Sequence, residues 1–375
     1  MWFLQADTLL GIGLICLLMM CMVRVPGLNP KRPLQVLSLL CVLFIGWVSL
    51  WLLAAYLLYI GVLFTCARIL FQAGRGKRAV LLLGVFLSIF PLAFLRLWPG
   101  GEGIIVIGLA FSVLRAIDAL CYVYYAEEKI RPQTFFLYML FVPTFTAGPV
   151  FRHRDFARAL TRLEPVSAAV FMEAVKRMIR GFFKVTVVSA VFLQIFSHFT
   201  GEGIYTLPVS LLLVVCSYWI LYFNLSGYAD IAIALGRLCG FTVPENFKKP
   251  WRAASFTQFW RSWHATVSDW IREHVFLVLH KKALTRFQSA CAVMVVMLLM
   301  ALWHGFAPLT ILLGLYLGGL LAIENLLGLT SPKKKWTVIR ILRCFAVNFL
   351  FAINSLQFLT DLQGFRAIVT GFFAL

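Results

Sequence analysis

Charged residues are scarce in this sequence, and acidic residues are the scarcest of them. Charged residues make up 13% of the 375 positions, with only 15 Asp or Glu against 34 Lys or Arg. Hydrophobic residues make up 62%, and the mean hydropathy is +0.90. A soluble core cannot absorb this much apolar surface. The composition therefore excludes an ordinary soluble domain and indicates a multi-pass membrane protein.

The sequence also lacks domain linkers, low-complexity segments and a clear internal repeat. We therefore expect a single integral membrane domain over residues 1–375. Its nine cysteines are scattered, none of them in a C-x-x-C spacing, and most lie in apolar runs. This pattern favours buried structural thiols over disulfides, metal ligands or nucleophiles. We predict no metal site.

Apolar runs of the length that crosses a bilayer, about 20 residues, recur along the chain. They predict an all-α fold with about ten transmembrane helices, together with re-entrant and interfacial helices around a central funnel. The run 34–70 is too long for one upright span, so we expect either a break near Gly46, which fits better, or one long helix that is tilted or lies on the membrane surface. Pro143, Gly148 and Pro149 interrupt a later apolar segment, which predicts a broken or re-entrant helix there.

The distribution of basic residues predicts the topology. The first apolar run, 9–23, has no basic region before it and no small-residue cleavage site after it, so we interpret it as an anchor. Arg24, Lys31 and Arg32 follow it, which places the N-terminus outside the cytoplasmic membrane. The formal net charge of +19 reflects either this topology with anionic lipid or a face that attracts an acidic partner. Nucleic acid is not expected, because the basic residues form no single stripe.

The stretch "FWRSWHATVSDWIREHVF", residues 259–276, concentrates polar chemistry within this apolar chain. Ser255 and Gln258 form an S-x-x-Q capping box, so a helix should begin near Phe256. At about 100° per residue, its apolar residues share one arc and most charged residues the other. We predict one amphipathic helix at the cytoplasmic interface, with His264 at the polar boundary as a functional or an interfacial histidine. The apolar arc comprises Trp260, Trp263, Val267, Trp270 and Ile271.

A second histidine, His304 in "LMALWHGFAP", ends a strongly apolar helix. An ionisable group in a spanning segment is costly and suggests a functional site. The usual pKa of histidine, about 6.5, suits proton transfer near neutral pH. A lone histidine is more often structural, but here two Trp-His pairs are joined by one interfacial loop and one helix. This arrangement favours a shared function for His264 and His304.

Five stretches in order, "TAGPVFR", "GYADIAIALGRLCGF", "PENFKKPW", "FWRSWHATVSDWIRE" and "LWHG", resemble the membrane-bound O-acyltransferase (MBOAT) family. They cover residues 146–325 and most resemble the bacterial branch that acylates cell-envelope polysaccharides. The resemblance implies two family histidines, His264 and His304, of which His304 is the catalytic one, set deep in a funnel. It also implies transfer of a D-alanyl or acetyl group from a cytoplasmic thioester donor, across the membrane, to a polysaccharide hydroxyl.

The resemblance further implies that the chain binds no permanent cofactor. The donor is then either the phosphopantetheine of an acidic carrier protein or acetyl-CoA, and an extracytoplasmic partner acyltransferase either completes the transfer or is not needed. We expect His304 to act as the base and His264 to orient the donor or bond its carbonyl. The expected walls and supports of the site are Trp263, Trp303, Arg261, Asn246 and Ser268.

Basic residues around these motifs form an expected docking patch for the donor, or else they only set the membrane topology. The docking patch comprises Lys248, Lys249, Arg252, Arg261, Arg272, Lys281, Lys282 and Arg286.

Departures from the family pattern, such as Arg272-Glu273-His274 in place of Arg-Asp-Tyr, favour the D-alanyl branch. The rival hypotheses are a transporter or lipid flippase with a structural histidine, and a scaffold for an envelope complex.

Overall fold

The computed structural model describes residues 5–23, 31–98, 107–146, 148–161, 163–276, 285–331 and 337–374. Over these ranges the chain is helical and contains no strand, which confirms the all-α prediction. In chain order the α-helices are α1 (Ala6–Val23), α2 (Lys31–Val48), α3 (Leu50–Gln72), α4 (Lys77–Leu97), α5 (Leu109–Ala126), α6 (Pro132–Leu140), α7 (His153–Leu160), α8 (Ala168–Phe183), α9 (Ser189–Gly201), α10 (Leu207–Leu238), α11 (Phe256–Ser262), α12 (Ala265–Ile271), α13 (Arg286–His304), α14 (Pro308–Leu326), α15 (Val338–Ser355) and α16 (Leu362–Thr370).

Eight helices in the described ranges are long and apolar enough to cross a membrane. One of them joins α8 and α9 through a π-helical turn, Lys184–Val188. Two shorter apolar helices, Asp7–Val23 and Arg32–Val48, fall below this length. The chain is thus a multi-pass membrane protein, while the count of about ten spans stays a prediction. The eight spans are Leu50–Gln72, Lys77–Leu97, Leu109–Ala126, Ala168–Gly201, Leu207–Leu238, Arg286–His304, Pro308–Leu326 and Val338–Phe358.

Two interruptions predicted from the sequence are present. The run 34–70 breaks at Ser49, whose hydroxyl accepts a hydrogen bond from the backbone N–H of Leu52 at 3.2 Å and so caps α3. The proline-containing segment leaves α6 at Leu140, makes one 3-10 turn, and resumes helix only at His153.

A buried arginine donates hydrogen bonds to the backbone carbonyl groups at the end of α6 and in the irregular segment after it. The guanidinium of Arg115, 1% exposed, donates to the carbonyl oxygens of Tyr138 and Met139, each at 3.3 Å. It also donates to the carbonyl and to the hydroxyl of Thr144. Helix ends leave carbonyls without intrahelical partners, and such groups are costly where water is absent. Arg115 therefore allows the chain to leave helical geometry at this point.

The chain divides into two compact units. The first contains Met1–Ile179 and Asp230–Pro244, and the second contains Arg180–Ala229 and Glu245–Leu375. Both candidate histidines belong to the second unit. A single domain over residues 1–375, with its motif-bearing core at 146–325, stays a prediction.

Close packing of α13 against α14 positions the end of α13 within the second unit. A Cβ atom added at Gly314 would lie 2.4 Å from the Cβ of Ala301. Only a glycine therefore permits this approach, one turn before His304 ends α13. This close contact fixes the position of His304 relative to α14.

Candidate functional site

The stretch predicted as one amphipathic helix is two short helices, the second of which continues into a π-helical turn, Arg272–Phe276. The helix α11 begins at Phe256 as predicted, and the Ser255 hydroxyl accepts from the backbone N–H of Gln258 at 3.1 Å. The chain then breaks at His264, whose backbone is left-handed with φ 45° and ψ 47°. That conformation costs a non-glycine residue about 1–2 kcal/mol. The prediction of one continuous helix is therefore wrong.

A neighbouring loop stabilises this break by bonding to both helix ends. The backbone N–H of Lys248 donates to the carbonyl of Ser262 at 2.8 Å, and that of Ala265 donates to the carbonyl of Asn246 at 2.7 Å. The side-chain oxygen of Asn246 accepts from the N–H and the hydroxyl of Thr266, at 3.3 and 2.8 Å. These bonds satisfy groups that a helix terminus otherwise leaves open. Asn246, 2% exposed, thus supports the position of His264 from outside the cavity.

The break brings His264 to the same cavity as His304. This cavity has a volume of about 60 Å³, room for a few water molecules. Its walls belong entirely to the second unit and are mostly apolar. Besides the histidines, the lining residues with polar groups are Trp260, Trp263, Asn354 and Gln357.

His304 lies at the C-terminal end of α13 and is followed by Gly305. Its ring makes edge-to-face contacts with Trp303 and Phe358, at centroid distances of 4.8 and 5.1 Å. The residue is exposed, so it stands at an open edge of the cavity, while its position deep in a funnel stays a prediction. A histidine in this position can meet a substrate that enters from that edge.

His264 has a different environment. Its Nδ1 atom is buried, and burial lowers the pKa of the imidazole to about 4 from the usual 6.5. The side chain is therefore neutral at physiological pH. A neutral imidazole can donate or accept a hydrogen bond, but it brings no positive charge to the cavity.

The other predicted site residues are not all brought to the cavity. Trp263 lines it and is 4% exposed, with its ring stacked on Phe259 at 5.4 Å. Trp303 contacts His304 but does not line the cavity. Arg261 is exposed and Ser268 is buried, and neither is part of the wall.

Sequence reasoning missed the two amides, Asn354 and Gln357. Both lie beyond residue 325, where the family-like motifs end. The available signal was their polarity within the apolar stretch "FAINSLQF" at the end of α15. Polar groups inside a spanning segment are costly and commonly face a cavity.

A carboxylate on α14 fixes the start of α11. Glu324, 7% exposed, accepts hydrogen bonds from the backbone N–H of Phe256 and from the N–H and hydroxyl of Thr257, the last two at 2.9 and 2.6 Å. Negative charge is favourable at a helix N-terminus. Glu324 thereby holds the helix that leads to Trp263 and His264.

We expect Glu324→Ala to lower the free energy of unfolding by about 1–3 kcal/mol, because one buried and two partly buried donors lose their acceptor. Glu324→Gln should recover part of this loss, since it keeps one acceptor oxygen but not the charge. Denaturant unfolding in detergent measures both. The control is Glu202→Ala, which removes an exposed acid and should change little. A Glu324→Ala protein as stable as the wild type would contradict this role.

Comparisons with known proteins find one matching family and several similar proteins. The model of the membrane-bound O-acyltransferase family matches residues 121–360, more than half of the chain. A probable alginate O-acetylase of Pseudomonas fluorescens is 31% identical over 252 residues, which cover 66% of this chain and 49% of that protein. A probable alginate O-acetylase of Pseudomonas aeruginosa is 30% identical over 240 residues, which cover 62% of this chain and 46% of that protein. A teichoic acid D-alanyltransferase of Streptococcus thermophilus is 27% identical over 277 residues, covering 68% and 66%.

The chain spans about half the length of the alginate relatives that it matches. Its identity to the alginate enzymes is slightly higher than its identity to the D-alanyl enzyme, whereas the departures within its motifs favour the D-alanyl branch. The two signals point in opposite directions, so neither selects the acyl group.

Proposed function

The chain belongs to the membrane-bound O-acyltransferase family, and from this premise we propose that it transfers an acyl group, acetyl or D-alanyl, from a thioester to a hydroxyl of a cell-envelope polysaccharide. The observation that carries the proposal is that His264 and His304 line one cavity. Acyl transfer to a hydroxyl needs a base that takes the hydroxyl proton, and an imidazole beside a small cavity can supply one. We further propose a cytoplasmic-membrane location with the N-terminus outside.

In the proposed reaction His304 acts as the general base. A ring nitrogen of His304 takes the proton of the acceptor hydroxyl as its oxygen attacks the thioester carbon. The tetrahedral intermediate then breaks its carbon–sulfur bond, and the protonated His304 returns the proton to the leaving thiolate. A positioned base of this kind typically contributes 10²–10⁴-fold. The exposed position of His304 supports access for a large acceptor.

His264 acts in this proposal as a neutral hydrogen-bonding group. An N–H of its imidazole donates to the thioester carbonyl, whose oxygen becomes negative in the intermediate. Donors held in place before the reaction stabilise such charge without reorganising. The Asn246 bonds at the break supply that rigidity, because they hold the backbone on the C-terminal side of His264.

The donor docks, in this proposal, on the basic patch near the break. Its described members are all exposed, as docking requires: Lys248, Lys249, Arg252, Arg261, Arg272 and Arg286. Lys281 and Lys282 lie outside the described residues. The partner is an acidic carrier protein that bears the acyl group on phosphopantetheine, or the phosphates of acetyl-CoA.

A purified-protein assay with both donors tests the function and the donor together. We expect transfer to short alginate oligosaccharides or to a teichoic-acid acceptor from one donor only, acetyl-CoA or D-alanyl carrier protein. Binding of a carrier protein should weaken steeply as salt rises, because exposed charges are screened over about 8 Å at physiological ionic strength. Binding of acetyl-CoA in a closed pocket should depend less on salt. Transfer from neither donor, with membrane extract added to supply a partner acyltransferase, would contradict the proposal.

The patch itself has a matched control. Lys248→Glu with Lys249→Glu should weaken a carrier complex and leave membrane insertion intact. Arg75→Glu with Arg78→Glu reverses two exposed charges in the turn before α4 and in its first turn, and should leave donor binding unchanged. If the two double variants changed donor binding equally, the basic residues of the patch would serve only to set the membrane topology.

A further inference from the structure

Two amide side chains line the cavity, and each has a buried oxygen atom that accepts no hydrogen bond from the described residues. Asn354 is 6% exposed, and both its Oδ1 and the Oε1 of Gln357 are buried with no hydrogen-bond partner among the described residues. Both residues line the wall that also contains His264 and His304. Buried acceptors of this kind are uncommon, because an unmet hydrogen bond is costly.

The orientation of the Gln357 amide is defined by a hydrogen bond. Its Nε2 donates to the backbone carbonyl of Asn354 at 2.9 Å, so the nitrogen is used and the oxygen is the open group. Asn348, roughly two turns before Asn354 on the same helix, shows the ordinary arrangement. Its Oδ1 accepts from the hydroxyl of Tyr218 at 2.9 Å, and its Nδ2 donates to the carbonyl of Cys344 at 2.7 Å. Of these three amides, the two that line the cavity have an open oxygen, and Asn348, which does not line it, has none.

The chemistry of the two substrates indicates which of them meets these oxygens. A thioester group offers acceptor atoms and has no N–H or O–H at its reacting carbon. A sugar or polyol offers hydroxyl groups, which donate. The other sources of donors are the ammonium of a D-alanyl group and the amide N–H groups of the pantetheine arm. Loss of a contact to the pantetheine amide would slow hydrolysis and transfer alike, whereas loss of a contact to the acceptor would slow transfer alone. Among the described residues that line the cavity none is acidic, so a buried cation would find no counter-charge there. The acceptor hydroxyl is therefore the better match.

Resting on the proposed function, we propose that Asn354 and Gln357 form the subsite that holds the acceptor polysaccharide, by a hydroxyl adjacent to the one that is acylated. The adjacent hydroxyl donates to one of the amide oxygens, while the reacting hydroxyl donates to His304. A substrate with two neighbouring hydroxyls is then oriented at two points. The subsite selects polyols and sugars over water and over simple alcohols.

Near-isosteric apolar variants test this subsite. In Asn354→Leu and Gln357→Met we expect the KM for alginate oligosaccharides to rise about tenfold, as expected for one lost hydrogen bond. Hydrolysis of the acyl thioester, in which water is the acceptor, should stay within twofold of the wild type. The Tm should be unchanged or higher, since a buried unsatisfied oxygen has been removed. Binding of the same oligosaccharide, measured as a rise in Tm, gives a second readout that needs no turnover.

Asn348→Leu is the matched control. It removes an amide from the same helix, but one with protein partners and outside the cavity, so it should lower the Tm and leave the acceptor KM unchanged. An unchanged acceptor KM in both cavity variants would overturn the subsite. So would a parallel loss of transfer, hydrolysis and Tm, which would show an ordinary structural role. Wild-type protein that binds the oligosaccharide but transfers nothing would count against the proposed function and not against the subsite.

Discussion

His304→Ala is expected to lower the rate of acyl transfer by about 10²–10⁴-fold, the contribution typical of a positioned general base. The residue ends α13, lines the cavity and is exposed, so a hydroxyl that enters the cavity can reach its ring. Because the residue is exposed, the free energy of unfolding should change by no more than about 0.5 kcal/mol. Single-turnover transfer, together with size-exclusion chromatography in detergent, measures both quantities.

His198→Ala is the control for this experiment. His198 is an exposed histidine near the C-terminal end of another helix of the same unit, and it does not line the cavity. Its loss should leave transfer unchanged. Near-normal turnover of His304→Ala would exclude His304 as the base, and an aggregated protein would show that the imidazole has a structural role instead.

Substitution of His264 should separate the imidazole from the unusual backbone. We expect His264→Ala and His264→Gly to lower transfer to the same extent, about 10²-fold or more, because both lose the hydrogen-bonding group. The two should differ in stability. The left-handed backbone at φ 45° suits glycine, so the Gly variant should unfold with a free energy about 1 kcal/mol above that of the Ala variant. Rates and denaturant unfolding of the pair test this.

The pH dependence of stability gives an independent check on His264. Burial lowers its pKa to about 4, so between pH 6.5 and 4 the unfolded chain binds a proton that the folded chain does not. The His264 contribution is therefore complete above pH 6.5 and is lost as the pH falls toward 4. His264→Gly should flatten this part of the curve. Burial also lowers the pKa of His153 to about 4, so only the difference between variant and wild type reports on His264.

Identical pH–stability curves for wild type and His264→Gly would contradict the buried, neutral state of this imidazole. Unequal loss of transfer in the Ala and Gly variants would show that the backbone at this position, and not the ring alone, controls the reaction.

Local sequence determined much of this protein. Long apolar runs can satisfy their backbone groups inside a bilayer only as helices, so the all-α class follows from composition and run length. Local chemistry also placed the start of α11 at Phe256, because the Ser255 hydroxyl caps it from within the same segment. The two Trp-His pairs identified His264 and His304 as candidates, and for His304 the further reason is that ionisable groups are rare in apolar helices.

Tertiary structure alone decided how these pieces form a site. The helical periodicity of residues 256–276 continues through His264, and nothing local ends it. The break exists because a loop outside the predicted helix, at Asn246 and Lys248, forms hydrogen bonds with the end of α11 and with the start of α12. Likewise, the sequence could not show that Asn354 shares a wall with His304 while Asn348 is fully partnered. Both distinctions depend on which groups meet across elements, and hydrogen bonds between segments far apart in the chain leave no periodic trace in the sequence.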